Sequence, residues 1–212
     1  MIQKLKNNKL LIIITLLLLI IIFIITKKIA LKEELIMDKY AYNILVTKLR
    51  NPNLTKFMKL ITKLSNTTFI AISSIILIVF FLITNKKKTS YLVIANLIFI
   101  VLLNQILKYM IKRERPTGFR LIEMTGYSFP SGHAMVSMAF YGLLIYIIKH
   151  SVKNKTLKNI LIALNILIII LIGISRVYLG VHYLSDVITG YSISIIYLLV
   201  LTKYLNKYHY IT

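Results

Sequence analysis

The stretch SRVYLGVHYLSD, residues 175–186, carries a cation, an imidazole and a carboxylate between long apolar segments. An ionisable group beside a membrane segment is costly unless it is paired, solvated or used in function. His182 and Asp186 are four residues apart, so one helical turn would place the carboxylate next to the ring. The carboxylate would hold one ring nitrogen and leave the other free, as in a nucleophilic or basic histidine. A His-Asp pair that only satisfies itself at a helix end fits this stretch equally well.

The composition indicates an integral membrane protein. Hydrophobic residues make up 58% of the 212 residues, which is more than a soluble domain usually contains. The chain has no cysteine, which excludes disulfides, thiolate metal sites and cysteine nucleophiles. The formal net charge is +21, but the lysines occur in short runs between apolar segments and not along one basic face. This pattern favours the anionic headgroups of the lipid bilayer over nucleic acid as the partner.

Six apolar segments predict an all-α bundle of six transmembrane helices, organised as a single domain over residues 1–212. The segments lie near residues 10–30, 67–84, 90–111, 132–148, 159–174 and 184–204. Several are shorter than the about 20 residues that cross a bilayer, but lysines at their ends can snorkel to the interface. The first segment could also be a signal peptide. Its length, and the lack of a small-x-small cleavage site near Lys27-Lys28-Ile29-Ala30, favour an uncleaved anchor.

Residues 31–66 contain no apolar run long enough to span a membrane. Apolar residues do recur there at helical spacing, at Leu35, Ile36, Tyr40, Ile44, Leu45 and Leu49. This pattern predicts an interfacial amphipathic helix after the first span. An ordinary connecting helix packed on the spans fits the pattern as well.

The distribution of charge predicts the orientation of the bundle. The amino terminus, residues 85–89, residues 149–158 and the tail after Leu201 are rich in lysine and contain no acidic residue. All six acidic residues fall on the opposite side. By the positive-inside rule the lysine-rich loops are cytoplasmic. We therefore expect a multi-pass protein of the cell membrane whose opposite, extracytoplasmic face carries the polar site.

The unusual polar residues of the chain share that predicted face. They lie at the end of the third span, the start of the fourth, the end of the fifth and the start of the sixth: Lys108, Arg115, Ser131, Gly132, His133, Arg176, His182 and Asp186. The three cations suit a tetrahedral oxyanion such as phosphate. The free N–H groups at the start of a helix, here beginning at Gly132, also favour an anion. The sequence thus predicts a phosphate site at one membrane surface.

Three motifs in this set resemble the signatures of the type 2 phosphatidic acid phosphatase superfamily. The first is Lys108, six residues, then Arg115-Pro116, and the second is Pro130-Ser131-Gly132-His133. The third is Ser175-Arg176, five residues, His182, three residues and Asp186. All three motifs occur in order within residues 108–186. Leu184 is a mild departure, since many bacterial relatives have proline between the histidine and the aspartate.

This resemblance implies a membrane lipid phosphatase that works through a phosphohistidine and needs no metal or other cofactor. His182 would be the nucleophile, Asp186 would orient its ring, and His133 would protonate the leaving oxygen. The residues implied to bind the phosphate are Lys108, Arg115, Ser131, Gly132 and Arg176. The implied substrates are undecaprenyl pyrophosphate, phosphatidylglycerol phosphate or phosphatidate.

Two other functions stay open at this point. The phosphohistidine could pass its phosphate to an acceptor hydroxyl, as in a lipid phosphotransferase, or the protein could be a non-catalytic lipid carrier or anchor. The second is disfavoured because every catalytic position of the motifs is occupied. Lys112, Arg113 and Arg120 are left out of the predicted site, since contact with lipid headgroups explains them equally well. Asn104 and Gln105 are expected to hydrogen-bond to a neighbouring helix.

Overall fold

The computed structural model describes the backbone of residues 2–207 and the side chains of residues 9–207, and this part of the chain is helical without strands. The first span is α1 (Ile2–Ala30). The connecting segment forms α2 (Ile36–Tyr42), a π-helix (Asn43–Lys48) and α3 (Pro52–Lys63). The remaining helices are α4 (Thr67–Ile83), α5 (Lys87–Ile111), α6 (Gly132–Ser151), α7 (Lys155–Tyr178) and α8 (Leu184–Lys207).

By length and composition, α1, α5, α6, α7 and α8 can each cross a membrane. The 17-residue α4 qualifies only together with α3, from which it is bent by 46°. The prediction of an all-α membrane bundle is therefore confirmed, with five or six spans. The fifth predicted span was too short at both ends. Its helix, α7, begins four residues earlier because the Asn154 side chain caps it by accepting a hydrogen bond from the Leu157 N–H.

The segment between α1 and α4 holds more than the one predicted interfacial helix. The prediction corresponds to α2 and the π-helix, whereas α3 is a separate helix that begins at Pro52 after the capping residue Asn51. The predicted apolar face is divided, since Leu35 is buried while Ile36 is 86% exposed. In space, α2 packs against α8 and α3 packs against α7. The connecting segment therefore covers the ends of the two helices that carry the third motif.

The centre of the bundle is α6, which packs against α5, α7 and α8. Small residues permit this close packing, and a side chain at Gly142 would collide with Leu198 of α8. Buried polar groups join the same helices, because Ser194 donates to the Met135 carbonyl at 2.9 Å and Asn96 donates to the Ala139 carbonyl at 3.3 Å. Hydrogen bonds of this kind fix the register of neighbouring spans.

The loop between α5 and α6 folds across the turn between α7 and α8. The Ser131 N–H donates to the Asp186 carbonyl at 3.1 Å, and the Leu121 N–H donates to the Leu179 carbonyl at 3.0 Å. Gly180 takes a positive φ of 73° just after α7, and a Cβ there would lie 2.7 Å from the Phe119 carbonyl oxygen. A glycine is therefore required where the chain turns from α7 toward His182.

Candidate active site

A cavity of about 550 Å³ opens at the end of the bundle where the predicted site residues meet. Its walls come from α4, α5, α6 and the two loops that follow α5 and α7. Five of the eight predicted residues line it: Lys108, Arg115, Gly132, His133 and His182. The other three predicted residues, Ser131, Arg176 and Asp186, are buried at 0–1% exposure around it.

His182 lies in the turn between α7 and α8 and is 2% exposed. Its Nδ1 is 3.3 Å from Asp186 Oδ2, and its Nε2 is 3.1 Å from Arg115 Nη1. A guanidinium can only donate, so Nε2 must accept with its lone pair. The ring proton therefore resides on Nδ1, which donates to the carboxylate. This tautomer leaves Nε2 as the nucleophilic nitrogen.

The surroundings of His182 keep its ring neutral. Burial is the largest cause that places its pKa well below 6.5, and the nearby cations, Arg176 first and then Arg115, act in the same direction. A neutral imidazole is the form that can attack an electrophile. A solvent-exposed histidine, with an ordinary pKa of about 6.5, would be partly protonated near neutral pH.

The cations around the nucleophile are held by backbone carbonyls. Arg115 is 6% exposed and donates to the carbonyls of Thr125, Gly126 and Val181 at 2.9–3.3 Å. Lys108, in the last turn of α5, donates to the Tyr127 carbonyl. Neutral acceptors orient these side chains without cancelling their positive charge. The charge therefore stays available for an anion in the cavity.

Arg176 is 1% exposed, and within residues 9–207 its side chain makes one hydrogen bond, from Nη1 to Thr62 Oγ1 at 2.7 Å. Its Nε and Nη2 are buried without a partner. Donors left unsatisfied in this way are costly, the more so on a charged group. An oxyanion bound beside Arg176 would satisfy them with the bidentate geometry that a guanidinium prefers.

The start of α6 brings His133 to the same cavity. The Ser131 side chain accepts from the Ala134 N–H and caps the helix, and a Cβ on Gly132 would lie 2.9 Å from Asn104 Oδ1. The ring of His133 is oriented by Asn66, whose Oδ1 lies 3.1 Å from Nε2. The first turn of the helix therefore presents its free N–H groups and an imidazole together.

Of the two polar residues expected to link α5 to a neighbouring helix, Asn104 does so. Its Nδ2 donates to the Pro130 carbonyl at 3.2 Å and contacts Met135 Sδ. Gln105 lines the cavity.

Four residues that contact the site were not predicted: Arg113, Asp38, Thr62 and Asn66. Arg113 was left out of the predicted site because contact with lipid headgroups explained it equally well, and the structure corrects this, since its guanidinium pairs with Asp186 at 2.7 Å and with Asp38 at 2.9 Å. Thr62 and Asn66 hold Arg176 and His133. Their partners are 114 and 67 residues away in sequence, so no local pattern signals these contacts. For Arg113 the proximity to Arg115 was the available signal.

Two known proteins with related sequences are named as phosphatases of lipid phosphates. The chain is 40% identical over 96 residues to phosphatidylglycerophosphatase B of Bacillus subtilis (strain 168). It is 33% identical over 105 residues to undecaprenyl-diphosphatase of Sulfolobus acidocaldarius. These alignments cover 45% and 46% of this chain, and the chain spans about half the length of the two curated relatives, 47% and 46%.

Solved structures with the same fold include two from bacteria. A transmembrane PAP2-type phosphatidylglycerolphosphate phosphatase from Bacillus subtilis superposes with a TM-score of 0.80 at 29% identity, over 91% of this chain and 96% of that one. Aquifex aeolicus LpxE superposes with a TM-score of 0.60 at 23% identity, over 81% and 99%. The sequence of residues 89–210, more than half of the chain and including all three motifs, matches the PAP2 superfamily. The chain therefore belongs to the PAP2 superfamily.

Proposed function

We propose that the protein is a membrane lipid phosphatase that acts through a phosphohistidine on His182. The observation that carries this proposal is the arrangement of its ring, with Nδ1 facing Asp186 and Nε2 facing Arg115 beside the cavity. An acceptor lone pair surrounded by cations is suited to an anionic electrophile, since the cations offset its negative charge. A non-catalytic carrier would gain nothing from a fixed tautomer.

The first step forms a bond between His182 Nε2 and phosphorus. The bond between phosphorus and the leaving oxygen breaks, and His133 gives that oxygen a proton. The substrate must displace Arg115 from Nε2, and the phosphate oxygens then become its new acceptors. Asp186 offsets the positive charge that the ring acquires. In the second step water attacks phosphorus, its proton passes to His133, and inorganic phosphate leaves as the bond to Nε2 breaks.

The remaining predicted residues have proposed roles in stabilising the phosphoryl oxygens. Lys108, Arg115 and Arg176 supply positive charge, while Ser131 and the Gly132 N–H supply hydrogen bonds at the start of α6. Donors aimed at developing charge in a water-poor site are typically worth about a hundredfold or more in rate each. We propose that residues 1–212 form one domain in which these groups act together.

The proposed substrate is a lipid phosphate or pyrophosphate whose headgroup enters the cavity from the extracytoplasmic face. The apolar part of the cavity wall, which includes Ile70, Leu97 and Val101 of α4 and α5, supports a substrate with a hydrocarbon chain. The names of the two curated relatives make phosphatidylglycerol phosphate and undecaprenyl pyrophosphate the first candidates, with phosphatidate as the third. The lysine-rich loops at the opposite end support an outward-facing site.

The test is release of phosphate by the purified protein from these three lipids, with and without acceptor alcohols. We expect release from at least one lipid and none from the His182→Ala variant. Transfer of phosphate to the alcohol in preference to water would assign a phosphotransferase. Folded protein that leaves all three lipids intact would contradict the proposal.

A further inference from the structure

A second cavity, of about 870 Å³, lies between the end of α1, α2 and the beginning of the loop after α5. Asp38, Arg113 and Tyr183 form part of its wall. Asp38 is 7% exposed and Asp186 is fully buried, and the guanidinium of Arg113 lies between the two carboxylates. This series of ion pairs connects the second cavity to Asp186, the carboxylate that contacts the His182 ring.

The hydrogen bonds among Asp38, Arg113, Ser185 and Asp186 are short and numerous. Arg113 Nη1 donates to Asp186 Oδ1 and to Ser185 Oγ, both at 2.7 Å, and Arg113 Nη2 donates to Asp38 Oδ2 at 2.9 Å. Asp38 also accepts from the N–H of Ser185 at 2.7 Å and from its hydroxyl at 2.6 Å. The guanidinium lies 3.9 Å above the ring of Tyr183. Asp38, Arg113, Ser185 and Asp186 are therefore each held by at least two hydrogen bonds.

Burial lowers the pKa of Arg113, but the charge of Asp186 and the hydrogen bond and charge of Asp38 raise it above its ordinary value. The guanidinium is consequently a permanent charge between two carboxylates. A single buried carboxylate beside an arginine would be neutralised by it. With Asp38 present, the two carboxylates and the guanidinium together carry one net negative charge. Of these three groups, Asp186 contacts the His182 ring.

We propose that Asp38 and Arg113 are positioning residues for the His182–Asp186 pair, so that α2 helps to set the orientation and charge of the nucleophile. The inference rests on the proposed function. Asp38 lies outside residues 89–210, the part that matches the family. The contact is therefore contributed by the segment that follows the first span.

The physical reason lies in the two oxygens of Asp186. Oδ2 accepts from His182 Nδ1 and from the Tyr183 N–H, whereas Oδ1 is held by Arg113. If Oδ1 were free, the carboxylate could rotate about its Cβ–Cγ bond and lose its hydrogen bond with the His182 ring. Asp38 prevents this by fixing Arg113, and it also offsets the cation so that Asp186 retains charge for the imidazolium formed during phosphorylation.

The central test compares Asp38→Asn with Glu34→Gln. Glu34 is an exposed acid on the wall of the same cavity, so its substitution removes the same charge without touching Arg113. We expect Asp38→Asn to lower kcat by about 10- to 100-fold with little change in KM, as loss of a group that orients a reacting side chain does. Glu34→Gln should retain wild-type kcat. Arg113→Lys, which keeps the charge but loses the rigid planar fork that contacts both carboxylates, should resemble Asp38→Asn.

A double-mutant cycle separates positioning from a general loss of structure. If Asp38 acts through Asp186, then adding Asp38→Asn to Asp186→Asn should lower kcat by less than about twofold further. Two effects that multiply in full would overturn the proposal.

Nitrogen-15 NMR of the histidine rings provides a readout that does not require activity. We expect His182 to be protonated on Nδ1 in the wild type and to show a mixture of tautomers in Asp38→Asn and in Arg113→Lys. Unchanged His182 signals in both variants would overturn the positioning role whatever the activity. A wild-type protein with the expected tautomer but no action on any lipid phosphate would refute the proposed function alone.

Discussion

Replacing Thr62 by valine removes the one hydrogen bond that the buried Arg176 side chain makes among the described residues. The distance from Nη1 to Thr62 Oγ1 is 2.7 Å, and Arg176 is 1% exposed. Valine has nearly the shape of threonine but cannot accept a hydrogen bond. A hydrogen bond to a charged group contributes about 1.5–3 kcal/mol. At about 1.4 kcal/mol for each factor of ten, kcat/KM should fall by about 10- to 100-fold if this bond orients Arg176 for phosphate.

The assay is steady-state lipid phosphate hydrolysis, with thermal unfolding measured in parallel. Thr62→Ser is the matched control because it keeps the hydroxyl and should retain most of the wild-type kcat/KM. Wild-type kcat/KM in Thr62→Val would refute the reasoning, as would an equal loss in Thr62→Ser. A loss explained by less folded protein would appear as a lower unfolding temperature with unchanged specific activity of the folded fraction.

Three further predictions concern pH, the general acid and the orientation. Burial and nearby cations hold the pKa of His182 below 6.5, so the neutral nucleophile persists in mild acid. The fall of kcat/KM on the acid side of its pH profile should therefore lie below pH 6.5. A fall centred at or above pH 6.5 would contradict this. His133→Ala should slow hydrolysis of lipid phosphate far more than that of p-nitrophenyl phosphate, whose leaving group departs without a proton; equal losses would remove its role as acid. A cysteine at the exposed position Thr117 should react with an impermeant reagent in intact cells while one at Lys153 is protected; the opposite pattern reverses the topology.

The sequence predicted the parts of the structure that depend on local patterns. Apolar length located the spans, and the parity of their ends placed Lys108, His133 and His182 on one face, where the structure brings them to one cavity. The four-residue spacing also predicted the contact of His182 with Asp186, although the structure makes it across the turn before α8 and not within a helical turn.

Contacts made by the segment between α1 and α4 could not be predicted in this way. Thr62 and Asp38 are polar residues on short helices and Asn66 immediately precedes α4, and in all three places solvation explains a polar residue as well as any partner does. Their positions depend on how α2 and α3 pack against α8 and α7, which is a property of the whole bundle. Arg113 differs in that it stands two residues before Arg115, but its role could not be predicted because both of its carboxylate partners are more than 70 residues away.

Whether His182 is phosphorylated is tested most directly by trapping phosphate on the protein during turnover and identifying the residue that carries it. Protein mixed with lipid labelled in its phosphate is quenched in alkali, because phosphohistidine is stable in base and labile in acid, and the labelled peptide is sequenced. We expect acid-labile phosphate on His182, absent from His182→Ala and retained in His133→Ala. Phosphate on His133, or label that persists in His182→Ala, would refute the assignment of His182 as the nucleophile.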